Sequence, residues 1–291
     1  MDLASRNWGQ RMTVTELIRQ GLYYARHCKS LWLFGFFVGI ASGGSNGGGR
    51  GAGGDGAAGG GLPFGLSPAE IVPIVVVLVL LAIAAFIFRF ISEGALIEGV
   101  ARVLQGGTMT TREGFRAGWA HWGVLLRIAL LYVAATVASL VLLVAPCVIA
   151  MLTIGPIAAA VVGTATLLIA VPWLISLYLV QAFAARIAVL ESRHALDAIR
   201  KARLFLHGRL KHGLKLIVAT FAGTFIIGIV GAVAIVTTVL LLFALTYVLN
   251  VFPVIVIGGL VLVPVIYVIV AMIGTLRSSI WTIGYVTQVE S

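Results

Sequence analysis

"IVPIVVVLVLLAIAAFIF", residues 71–88, runs for eighteen residues without a charge and stops at Arg89. A run of this length and composition reads as a membrane-spanning segment. In hydrocarbon every backbone N–H and C=O must find a partner within the chain, so the segment is expected to be a helix. The rest of the chain repeats the pattern. No charge occurs in the 58 residues between Arg127 and Arg186, or in the 61 between Lys215 and Arg277. The 59 residues between Lys29 and Arg89 hold only Arg50, Asp55 and Glu70. A span takes about 20 apolar residues, so each interval has room for two spans and a connection. Asn and Pro favour turns, which places the reversals near Pro146–Pro156 and Asn250–Pro253.

The fold expected is an all-α integral membrane protein of about six transmembrane helices in three hairpins, forming one membrane domain over 1–291. Composition agrees. Charged residues make up 10% of the 291, against about 25% in soluble domains, and mean hydropathy is +1.11. The weak member is "LWLFGFFVGIA", 31–41, eleven residues that reach only about 16 Å as a helix. It spans if residues from about Leu22 join it and Arg26 and Lys29 snorkel; otherwise it is re-entrant or interfacial. A cleaved leader is the competing reading of 31–41, but the polar lead of about thirty residues is long for one.

Charge decides orientation. With three hairpins, nineteen of the twenty Lys and Arg fall on one face and Arg50 alone on the other. Basic residues collect on the cytoplasmic side, so both termini are expected there, at a bacterial inner membrane. The same rule accounts for the net charge of +10 without nucleic acid as a partner. It points to anionic headgroups beneath the bilayer, with a membrane protein or a second copy as candidate partners. Cys28 and Cys147 fall on opposite faces and are not expected to pair.

"GGSNGGGRGAGGDGAAGGG", 43–61, is twelve parts glycine in nineteen. No Gly-Lys-Ser/Thr follows it, so it is no phosphate-binding P-loop; it reads as a flexible extracytoplasmic tether.

Three short stretches align: "ELIRQG" at 16–21, "EGFRAG" at 113–118 and "DAIRKA" at 197–202. Each precedes an apolar interval. The first two carry the capping box Thr13-x-x-Glu16 and Thr110-x-x-Glu113. Each reads as a cytoplasmic amphipathic helix lying in the interface plane. The unit is then an interfacial helix and a hairpin, giving pseudo-repeats at about 13–104, 110–190 and 194–288.

Chemistry-bearing residues are few. The best polar cluster is Arg89, Glu93, Glu98, Arg102, Arg127, Arg186 and Arg277, at the inner ends of the spans. Intramembrane charge is where function is usually found, and Arg89–Glu93 and Glu98–Arg102 have the spacing of helical ion pairs. Headgroup contacts are expected from Arg200, Lys201, Arg203, Arg209, Lys211 and Lys215. No catalytic constellation, metal site or cofactor site stands out. His207 and His212 have no nearby carboxylate to complete a metal site. Pro73, Pro172 and Pro264 fall within spans, Gly35-x-x-x-Gly39 fits a helix-dimerisation pattern, and Tyr23, Tyr24, Trp32, Trp119, Trp122, Trp281 and Tyr285 read as an interfacial aromatic belt.

At "KSLWLFGFFVGIASGG", "GALIEGVARVLQGG" and "EGFRAGW" the chain resembles a group of uncharacterised bacterial multi-pass proteins. That group is similar to the membrane domain preceding some glycerophosphodiester phosphodiesterases. The resemblance implies an all-helical inner-membrane module. The phosphodiesterase barrel has no room here, so neither that activity nor any residue role carries over. Two functions remain: a non-enzymatic scaffold, anchor or accessory subunit, or a transporter or channel for a small solute or lipid.

Overall fold

A computed structural model describes residues 13–27, 31–47, 68–208, 210–246 and 251–289. The elements are α1 (Val14–His27), α2 (Trp32–Gly47), α3 (Pro68–Leu104), α4 (Thr111–Thr153), α5 (Pro156–Leu190), α6 (Ala195–Leu206), α7 (Leu210–Leu245) and α8 (Val251–Val289), and no strand occurs among the described residues. Five of them, α3, α4, α5, α7 and α8, are long and apolar enough to cross a membrane. The chain is therefore an all-α, multi-pass membrane protein.

The sixth expected crossing is not among these five. Helix α2 has sixteen residues, about 24 Å against a hydrocarbon core of about 30 Å. Its last turns are "SGGSNG", residues that neither propagate a helix well nor suit hydrocarbon. The start of the glycine-rich stretch, 43–47, belongs to this helix; 48–61 lie outside the described residues.

Both expected capping boxes form. The Thr13 N–H donates to the Glu16 carboxylate at 3.0 Å, and the Glu16 N–H donates back to Thr13 Oγ1 at 3.4 Å. Thr110 and Glu113 make the same exchange at 2.9 and 3.4 Å. The second box, however, opens no separate interfacial helix. Residues 111–127 run without a break into the apolar stretch as one helix of 43 residues, about 65 Å long. No proline falls between Thr110 and Pro146 to interrupt the helix, and Gly114 and Gly118 are packed within it rather than turning.

The chain reverses between α4 and α5 at Gly155, within the expected window. Gly155 has φ 114°, open only to glycine without strain, and Pro156 starts the next helix with its ring pre-set for a first turn. The pair lies side by side in opposite directions: Trp173 Nε1 donates to Ser139 Oγ at 3.0 Å, and Cys147 Sγ reaches the Ala159 carbonyl at 3.5 Å. Helices α7 and α8 also run antiparallel. A Cβ at Gly223 would meet Leu276, one at Gly231 would meet Ile269, and one at Gly258 would meet Leu242. The break between these helices includes 247–250, outside the described residues.

Packing is concentrated at one end. There α1 buries Leu17 and Ala25, and α6 buries Ala195, Ala198, Ala202 and Leu206; both patterns are single helical stripes. They close on Phe183 and Ile187 of α5, Leu216 of α7, and Leu276, Ile280 and Trp281 of α8. Smaller clusters join Leu31 and Phe34 to Leu96 and Val100, and Phe90, Ile97 and Leu125 to Val189. Away from this end the five long helices are almost bare: only 6–11% of each most apolar window is buried against the rest of the chain. Those bare stretches, within 72–88, 128–185 and 216–276, carry no charge. The described Lys and Arg side chains thus share the packed end.

Candidate functional site

The seven residues expected to cluster separate into three groups. Glu98 and Arg102 pair across one turn of α3 at 2.5 Å, on the exposed side. Arg89 and Glu93 make no ion pair; the Arg89 guanidinium lies 5.8 Å from the Phe90 ring centroid instead. Arg127 is exposed, without an ion-pair partner among the described residues. That leaves Glu93, Arg186 and Arg277; the packing of α3, α5 and α8 brings Glu93 and Arg277 within electrostatic range of Arg186.

Arg186 is the centre of this group. It is 6% exposed. One guanidinium nitrogen donates to the Ala182 carbonyl at 2.7 Å, and the cation lies 5.7 Å from the Trp281 ring centroid. Nearby, Arg277 donates to the Tyr178 hydroxyl at 2.9 Å. Helices α5 and α8 run in the same direction here, so Tyr178–Arg277 and Phe183–Trp281 are successive contacts along one seam.

The seam is rich in donors. Arg186 Nε, Trp281 Nε1, Ser278 Oγ and Thr282 Oγ1 are buried and have no hydrogen-bond partner among the described residues. Most buried polar atoms are paired, so this is a local excess, on a net positive group of two arginines and one glutamate. Nothing in it supplies a nucleophile with an aligned base. Among the described residues no three His, Cys, Asp or Glu side chains converge as a metal site.

A second polar knot was not visible in the sequence. Glu191 caps the end of α5 and gathers three donors: Lys201 Nζ at 2.6 and 2.7 Å, Arg193 Nε at 2.9 Å and the Tyr285 hydroxyl at 2.6 Å. Ser192, with φ 50°, turns the chain sharply so that Arg193 folds back on its neighbour. Burial raises the Glu191 carboxyl, but the hydrogen bonds from Lys201, Tyr285 and Arg193 outweigh it and hold the group below its ordinary value. The one available signal was that Glu191 is the first acid after Glu113 and is flanked by bases.

This knot corrects one expected headgroup contact: Lys201 is committed to Glu191. Arg200, Arg203, Lys211 and Lys215 are exposed, and Arg209 lies outside the described residues. Leu196 and Leu204, 61% and 76% exposed, share the outer side of α6 with Arg200 and Arg203. Two members of the expected aromatic belt are also corrected. Trp281 and Tyr285 are 1% and 4% exposed and belong to the core, whereas Tyr23 and Trp119 are exposed. Gly35 and Gly39 pack inside the chain rather than against a second copy: a Cβ at either would strike Ala271, Thr275 or Val270 of α8.

No protein family, curated protein or solved structure matches the chain.

Proposed function

We propose that the protein is a non-enzymatic membrane module, a scaffold, anchor or accessory subunit at the bacterial inner membrane. One observation carries the reading. The centre of the packed end is filled by Leu17, Phe183, Leu216, Leu276 and Ile280, while only 6–11% of the most apolar window of each long helix is buried. A solute pathway needs a polar route walled by several helices; bare helices present surface for lipid and for other membrane helices. The exposed Arg200, Arg203, Lys211 and Lys215 would meet anionic headgroups, where each base adds about 1 kcal/mol, and the exposed leucines of α6 would enter the interface. The resemblance to a bacterial all-helical membrane module fits the same role.

In this reading both termini are cytoplasmic. Helix α2 runs antiparallel to α8, since Gly35 faces Thr275 and Gly39 faces Val270. The chain leaves the packed end along α2, which supports the reading of a sixth passage through this part of the chain.

The test is photocrosslinking in membranes from Leu142 and Leu168, 75% and 73% exposed on α4 and α5. Capture of a second copy or of another membrane protein is expected. Capture of lipid alone would overturn the scaffold. The transporter reading rests on Arg186 and its unpaired donors, and would gain from access of a water-soluble arginine reagent to that seam.

A further inference from the structure

Between α1 and the α7–α8 pair lies an open groove of about 750 Å³, within the range of about 300–1,000 Å³ typical of small-molecule sites. Val230 and Ala234 of α7 form one wall, and Val265 and Val268 of α8 the other, with Pro264 at one end. Pro264 lacks an N–H and cannot complete the helical ladder, so a bend or gap in α8 is tolerated there. Leu22, Arg26 and Trp32 complete the lining on the α1 side.

Three features point to one occupant. The α7 and α8 residues of the groove fall inside the charge-free interval 216–276, so its contents come from the bilayer. The lining is apolar apart from one cation, Arg26. Arg26 is exposed, and no acid among the described residues pairs with it. The α1 edge is also fixed in place: Trp32 Nε1 donates to the Ala25 carbonyl at 2.6 Å, and Ala25 is fully buried. This contact ties the last turn of α1 to the first turn of α2 and holds Arg26 beside the groove.

We propose that this groove is a binding site for a single anionic phospholipid. One acyl chain lies between Ala234 and Val268, and the phosphate is taken by Arg26, whose planar guanidinium matches two phosphate oxygens. The chain supplies contact area and the cation supplies headgroup preference. The site is separate from the α6 face and does not depend on the scaffold reading.

Native mass spectrometry of the full chain in detergent, titrated with phosphatidylglycerol and with phosphatidylcholine, tests it. The unaltered protein is expected to bind one phosphatidylglycerol more tightly than the rest. Arg26→Gln should weaken that first binding about tenfold, as expected for loss of one charge-assisted contact, and bring it close to phosphatidylcholine. Ala234→Phe should abolish it by filling the groove. Val230→Phe, at a residue 65% exposed, gives the same result if Ala234→Phe fails to fold. Leu142→Phe, on α4, leaves binding unchanged. First-site binding that is equal in the unaltered protein, Arg26→Gln and both groove-filling variants overturns the proposal, as does equal binding of the two lipids.

Discussion

Arg186 and Glu191 sit five residues apart at the end of α5 and are handled in opposite ways. Arg186 is buried with one hydrogen bond, a facing indole and an unpaired Nε. The desolvation of such a cation is only partly offset, and replacing it with an apolar side chain of similar length is often neutral or stabilising. Arg186→Met is therefore expected to leave the unfolding midpoint in detergent unchanged or raise it; a fall of several degrees would show the cation to be a structural keystone. Glu191 is the reverse case, a carboxylate with every near donor satisfied. Its folded-state value is lowered, so its stabilisation is present above the ordinary glutamate value of about 4.3 and is lost as pH falls through the lowered value. Thermal melts across that acid window should show a decline that Glu191→Gln flattens, with lower stability at neutral pH. An unchanged pH profile would mean that the knot contributes nothing.

Among the elements, α2 is the one whose role changes most on seeing its neighbours. Lipid tails are as apolar as leucine, so helices in membranes associate through close packing rather than exclusion from water, and small residues permit it. Gly35 and Gly39 on α2 and Gly274 on α8 provide that fit; a Cβ at Gly274 would strike the Gly35 carbonyl. Backbone cannot yield as a flexible side chain can, so overpacking here costs more than the about 1–3 kcal/mol usual in cores. Gly274→Val should lower stability by at least that much, read as a shift in the denaturant midpoint. Gly259→Val, where nothing lies within 4 Å, should have little effect and serves as the control. Helix α6 illustrates the opposite limit. Its inner stripe is almost all alanine, close-packed, and its outer side carries leucine beside arginine.

At the scale of the molecule, a packed cationic end carries long helices whose most apolar windows are only 6–11% buried. The passages of the chain between the two ends number six if the stretch from α2 to α3 is counted and five if only long apolar helices cross. Single cysteines decide between them. With Cys28 and Cys147 replaced by serine, Gly54→Cys should react with an impermeant reagent added to intact cells, and Ser5→Cys should not. Both labelled, or both protected, would place them on one face and remove the passage through α2.

Hydropathy and charge spacing by themselves determined that this chain is a helical membrane protein, which charge-free intervals hold its apolar helices, and that it reverses between Pro146 and Pro156. Those properties are local: an uncharged run of sufficient length has one stable form in hydrocarbon, and a Thr-x-x-Glu box is closed within four residues. The tertiary structure decided the rest. It placed Trp281 and Tyr285 in the core rather than at the interface, tied Lys201 to Glu191, separated Arg89 from Glu93, and turned Gly35 and Gly39 toward α8. It also merged 111–127 into α4. An apolar side chain reads the same in sequence whether it faces lipid or another helix, and a polar one reads the same whether its partner is a headgroup or a residue ninety positions away. Only the packing of the helices on one another distinguishes these cases.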